Sequence, residues 1–135
     1  MKNINAQIAK EVYDIAFNLD EKTKKSLENH VNKAILILLE SGPFSMLLYC
    51  QYQIGKKGNV AVEKILKLYR KIIENNTDVL GEPTLSDNKD NNDSDYNFIF
   101  KNLERITTNF EKTIFLNQIL YEALVYMKYT AKART

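Results

Sequence analysis

Cysteine is nearly missing from this chain: Cys50 is the only one among 135 residues. One thiol cannot close an internal disulfide, so the fold is not stapled and a reducing compartment is expected. Histidine is also single, at His30. Protein metal sites need several His, Cys or carboxylate ligands at short spacing; the sequence shows none, so no metal is expected. The calcium-like string "DNNDSD" at 90–95 fails the EF-hand pattern, with Asp95 where glycine belongs and Lys101 where the closing glutamate belongs. Only four glycines and two prolines occur. There is no glycine-rich phosphate loop, nucleophile elbow or helical histidine pair, which removes the common NTPase, hydrolase and zinc-protease signatures. No apolar run reaches the ~18 residues of a membrane span. The opening "MKNINAQIAKEVYD" has no apolar stretch of the secretory kind. The expectation is a cytoplasmic protein with no membrane, cofactor or small-molecule substrate.

What is present suits a single helical domain over residues 1–135. Hydrophobic residues make up 44% of the chain, and eight Tyr and six Phe supply bulk for a core. The net charge of +2 conceals an asymmetry: residues 76–95 hold six acids and one base, net −5, which leaves +7 on the rest. A basic body attracts phosphate and an acidic loop does not. The bases are 16 Lys against 3 Arg. Lysine suits backbone contact, whereas bidentate base readout favours arginine.

Six segments carry helical periodicity. In the first, about 5–19, Ile8, Val12, Ile15, Ala16 and Leu19 share a face. The second, about 21–40, follows Asp20 as a candidate N-cap and carries a stripe of Leu27, Val31, Ala34, Ile35 and Leu38. Beyond Ala34 it is apolar almost all round, so that end is expected to be enclosed by neighbours. The run "AILILLESGPFSMLLYC" (34–50) is then broken by Gly42 and Pro43. Gly42 suits the left-handed residue past a helix end, and Pro43 suits the first turn of the next helix, so the run reads as two helices meeting at a corner. The third segment covers 44–53. The fourth, 59–75, has the cleanest period, with Val62, Ile65, Leu66, Tyr69, Ile72 and Ile73 on one side. Residues 76–95 show no period and read as a long flexible acidic loop. The fifth segment, 95–108, and the sixth, 110–131, follow it. The sixth is apolar around most of its girth and is expected to be central. The fold class is all-α, a compact bundle of five to six helices with the acidic loop before the last two.

Candidate chemistry is sparse. A catalytic thiol needs a base and a thiolate-stabilising setting, and Cys50 reads as a buried structural residue. His30 reads as a surface or boundary residue. Glu111, Gln118 and Glu122 align on one face of the last helix and read as its polar seam rather than as acid–base groups. An enzyme is not expected. Lys64, Lys67 and Lys71 fall on one face of the fourth segment, with Arg70 beside them and Lys56 and Lys57 leading in. Such a ridge is ordinarily a solvated face. Its continuity with the glycine-flanked Lys56 and Lys57, and an acid-free C-terminal stretch holding Lys128, Lys132 and Arg134, point instead to salt-dependent, sequence-independent phosphate contact.

"KAILILLESGPFSMLLYCQYQ" (33–53) and "FLNQILYEALVYMKYTAKA" (115–133) together resemble the small subunit of the type III-B CRISPR effector, the Cmr complex. In that family an apolar helix ends at a glycine corner and an apolar helix restarts at once. A final helix carries a glutamate–alanine pair and an aromatic, basic end. Here the corner is Ser41-Gly42-Pro43, the pair is Glu122-Ala123, and the basic end is Lys128 before Ala131. The resemblance implies a non-catalytic subunit of an antiviral RNA-targeting complex. Its partners would be other Cmr subunits, further copies of itself, guide RNA and target RNA. The RNA-binding candidates are Lys56, Lys57, Lys64, Lys67, Arg70, Lys71, Lys128, Lys132 and Arg134. The rival reading is a helical protein–protein adaptor without nucleic acid, using apolar positions such as Phe44, Leu47 or Tyr52.

Overall fold

The computed structural model describes residues 4–57, 59–84 and 94–133, and among them every regular element is helical. In order these are α1 (Ile4–Ala16), α2 (Glu21–Ser41), α3 (Pro43–Lys57), α4 (Val60–Asn75), α5 (Thr77–Leu80), α6 (Asp95–Ile106) and α7 (Phe110–Lys132). Six of them answer to the six periodic segments. Helix α5 is additional and falls in the stretch expected to be loop.

The helix starts are built by short polar side chains. Asp20 accepts the Thr23 N–H at 2.8 Å, Asn59 that of Val62, Ser94 that of Asn97 and Asn109 that of Lys112. Each satisfies a donor that the first helical turn leaves free. The two hydrogen bonds from Thr23 hold the Asp20 carboxyl below the usual carboxylate range.

The α2–α3 corner forms at Gly42 and Pro43. Gly42 donates its N–H to the Leu38 carbonyl at 3.0 Å, with φ 92° and ψ −175°. This is not the left-handed helical conformation expected of it. It is positive-φ extended backbone, which is essentially closed to side-chain-bearing residues. Pro43 opens α3, and its carbonyl accepts the hydroxyl of the fully buried Tyr69 at 3.1 Å. The corner is thereby tied to α4.

Helix α4 lies at the centre. Half of its residues are buried, from Ala61 to Ile73, and it packs on α1, α2, α3, α5, α6 and α7. Its apolar face meets Leu27, Val31, Leu47, Ile99, Leu103, Leu120 and Leu124 in one continuous core. The long helix α7 packs on α1, α2, α4 and α5 but keeps one side open: Phe110, Ile114, Tyr121, Tyr126 and Tyr129 are all exposed. The C-terminal half of α2 is likewise not enclosed, with Leu36 at 58% and Leu39 at 64% exposure. An all-round apolar helix was expected to be covered on every side. These two helices cover each other on one side only, and no other described element lies over the seam.

The beginning of the acidic stretch is ordered by α6. Leu80 is buried, and Gly81 turns the chain at φ 86°. Arg105 donates from Nη1 to the Leu80 carbonyl and from Nη2 to Asn102 Oδ1. The Asn102 amide pairs with both backbone groups of Thr84, accepting its N–H at 2.8 Å and donating to its carbonyl at 3.2 Å. Residues 77–84 are therefore a short helix and a pinned turn. The rest of the expected flexible loop, 85–93, lies outside the described residues.

Candidate nucleic-acid interface

Helix α4 turns its apolar face inward, so its remaining positions form the outer surface. At 3.6 residues per turn, positions 64, 67 and 71 fall on one narrow outward stripe. Lys64 and Lys71 are half-buried and Lys67 is exposed. None of the three makes an ion pair among the described residues. A groove of about 420 Å³ runs beside Lys64 and Lys67, between α3, α4 and the start of α6. Gln51, Ile54, Glu63, Leu66, Ser94, Asp95 and Tyr96 complete its lining. Lys71 borders a second, much smaller groove with Gln7 and Glu11 of α1.

Arg70 sits beside this stripe in a different role. Its Nη1 meets Asp95 Oδ1 at 3.2 Å, its Nε lies 3.7 Å from Glu74, and its guanidinium lies 4.3 Å from the centre of the Phe98 ring. These contacts tie α4 to α6, and two carboxylates answer its charge. With Glu63 nearby, the stripe is positive chiefly through its three lysines.

The other sequence candidates do not join this stripe. Lys56, in the last turn of α3, has its ammonium 5.7 Å from the ring centre of Tyr52 on its own helix. Lys128 lines a separate groove between α2 and α7. Lys132 lies 3.9 Å from Glu28 of α2. The side chain of Lys57 and all of Arg134 lie outside the described residues. The polar-seam candidates sit on the open side of α7, with Glu111 and Gln118 exposed and Glu122 half-buried. Among the positions named for an adaptor surface, Tyr52 is exposed and Phe44 is half-buried against Phe100. Leu47 is fully buried and presents nothing to a partner.

Burial pushes the Cys50 thiol up to about 12, which keeps it protonated and unreactive. Among the described residues no group of three or more His, Cys, Asp or Glu side chains is placed to hold a metal ion. No described helix is long and apolar enough to cross a membrane.

Periodicity alone does not reveal one polar cluster. His30 Nδ1 lies 2.8 Å from the Tyr49 hydroxyl, and Nε2 lies 2.9 Å from the Asn59 amide nitrogen. Asn59 uses its oxygen to cap α4, so its NH2 faces the ring and Nε2 accepts. The proton then sits on Nδ1 and is donated to Tyr49. Three helices are stitched together through one imidazole.

No family model matches the sequence, and neither the curated proteins nor the solved structures compared with it include a match.

Proposed function

We propose that this chain is a non-catalytic small subunit of a CRISPR RNA-guided, RNA-targeting effector of the Cmr kind, and that its α4 stripe tracks a ribose-phosphate strand. One observation carries the reading: Lys64, Lys67 and Lys71 stand in line on the outer face of the most buried helix, beside an open groove, with no carboxylate among the described residues paired to any of them. A rigid row of ammonium groups contacts successive phosphates without reading bases. The glycine corner at Gly42 and the Glu122-Ala123 helix, which resemble that family, support a role in a complex with other subunits and further copies in the cytoplasm. The adaptor reading has its own support in the apolar α2–α7 face.

Fluorescence anisotropy with single-stranded and duplex RNA over a range of salt separates the two. Replacing Lys64, Lys67 and Lys71 together with Glu removes three phosphate contacts. On a single strand this lowers the slope of log K against log salt by about 2. Unchanged affinity in that variant rules out the α4 stripe; no RNA binding by the parent chain leaves the adaptor reading.

A further inference from the structure

The groove beside Lys64 and Lys67 measures about 420 Å³, within the range of small-ligand sites. Its polar lining divides into groups already engaged and groups left free. Ser94 accepts the Asn97 N–H as the cap of α6, and Asp95 is bound by Arg70. Gln51, Glu63, Lys64, Lys67 and the Tyr96 hydroxyl make no hydrogen bond or ion pair with another described residue. Tyr96 is half-buried, with Phe100 beside it at 6.0 Å between ring centres and Phe44 edge-on to Phe100 at 5.6 Å. These rings support it at the groove wall. Ile54 of α3 and the buried Leu66 of α4 give the cavity apolar surface.

The charges of the lining select what fits inside. Glu63 and Asp95 both border the cavity and oppose an anion in its interior. The phosphates of a strand that follows the stripe therefore stay outside, on Lys64 and Lys67. A nucleobase is neutral, planar and edged with donors and acceptors. Its face stacks on tyrosine. Its edge meets the Gln51 amide, which both donates and accepts, and the Glu63 carboxylate, which accepts. A paired base offers neither surface: its hydrogen-bonding edge is taken and its faces are covered by the stack. The occupant that suits this cavity is an unpaired base.

We infer that the groove between α3, α4 and α6 admits one unpaired nucleobase of an RNA single strand, stacked on Tyr96 and hydrogen-bonded by Gln51, while Lys64 and Lys67 hold the flanking phosphates. The inference rests on the α4 stripe as an RNA-tracking surface and names what that surface selects: a single strand in preference to a duplex.

Fluorescence anisotropy of the full chain compares three ligands of equal length: single-stranded RNA, the same RNA as a duplex, and a ribose-phosphate strand without bases. The abasic strand keeps the phosphates and the flexibility of the first, so the difference between those two reports the bases alone. Single-stranded RNA is expected to bind about tenfold more tightly than the abasic strand. Tyr96→Ala removes that difference and leaves duplex and abasic binding as in the parent, whereas Tyr96→Phe keeps most of it. Gln51→Ala, at an exposed position, costs the single strand about fivefold. Circular dichroism establishes that each variant is folded. Irradiation of the unaltered chain with a strand carrying 4-thiouridine supplies a readout free of any substitution, and the label is expected on the peptide that contains Tyr96. Equal affinity for single-stranded RNA and the abasic strand overturns the inference and leaves the α4 stripe standing. So does single-strand binding that neither Tyr96→Ala nor Gln51→Ala weakens, or a label confined to peptides away from the groove. A parent chain that binds none of the three ligands overturns the stripe and this inference together.

Discussion

His30 shows how a single side chain sets a condition on the fold. Its neutral ring receives a hydrogen bond from Asn59 and gives one to Tyr49. A second ring proton would face the Asn59 NH2 and displace it. Turning that amide round would cost α4 its cap. Burial, with the charge of Lys33 as a smaller cause, depresses the pKa of His30 below the ordinary 6.5. The unfolded chain therefore takes up the proton first as pH falls. His30 contributes fully to stability above about pH 6.5, and that contribution is lost progressively below it. Urea midpoints between about pH 7.5 and 5 should decline with acidity in the parent chain and decline less in His30→Gln; equal slopes in the two proteins would remove His30 from the account. The sequence placed His30 at a boundary. It did not show the two partners, which come from residues 19 and 29 positions away.

At the scale of elements, the corner between α2 and α3 is the feature most legible in advance. A glycine followed by a proline inside an apolar run has few other physical uses. An added Cβ at Gly42 would meet nothing within 4 Å, so its cost is that of the backbone alone. Gly42→Ala should lower stability by about 1–3 kcal/mol, read from denaturant midpoints, with the helical circular dichroism signal unchanged in form. A cost near zero would mean that the corner relaxes to negative φ. The short helix α5 and the turn behind it were not legible, because Leu80 has no periodic neighbours. They are held by Arg105 and Asn102 on α6, and no local pattern encodes a partner that distant. Arg70 belongs to the same class: the helical wheel puts it with the lysines, and its neighbours on α6 bind it to the core.

The whole molecule has one core that all seven described helices share. Cys50 lies within it and is fully buried, so a thiol reagent reaches it only when the core opens. Its modification in native buffer should be slower than that of a free thiol by roughly 10⁴-fold or more. The rate should rise with denaturant in step with global unfolding. Rapid labelling without denaturant would show that α3 detaches on its own. The molecule also separates its two surfaces: the lysines on α4 border α3 and α6, whereas the apolar strip lies between α2 and α7. The charged row and the apolar strip are therefore built from different residues.

The sequence by itself determined the all-helical class, the six long helices, the Asp20 cap and the α2–α3 corner, because helical period and terminal residues act through neighbours a few positions apart. It also determined the alignment of Lys64, Lys67 and Lys71, since one helix imposes it. Only the tertiary structure decided which apolar faces were covered. Leu36 and Leu39 are as hydrophobic as Leu38 and Leu124, yet the first two are exposed and the last two are buried. Hydrophobicity states how strongly a side chain is driven from water. How many helices are at hand to shield it depends on how the whole chain packs.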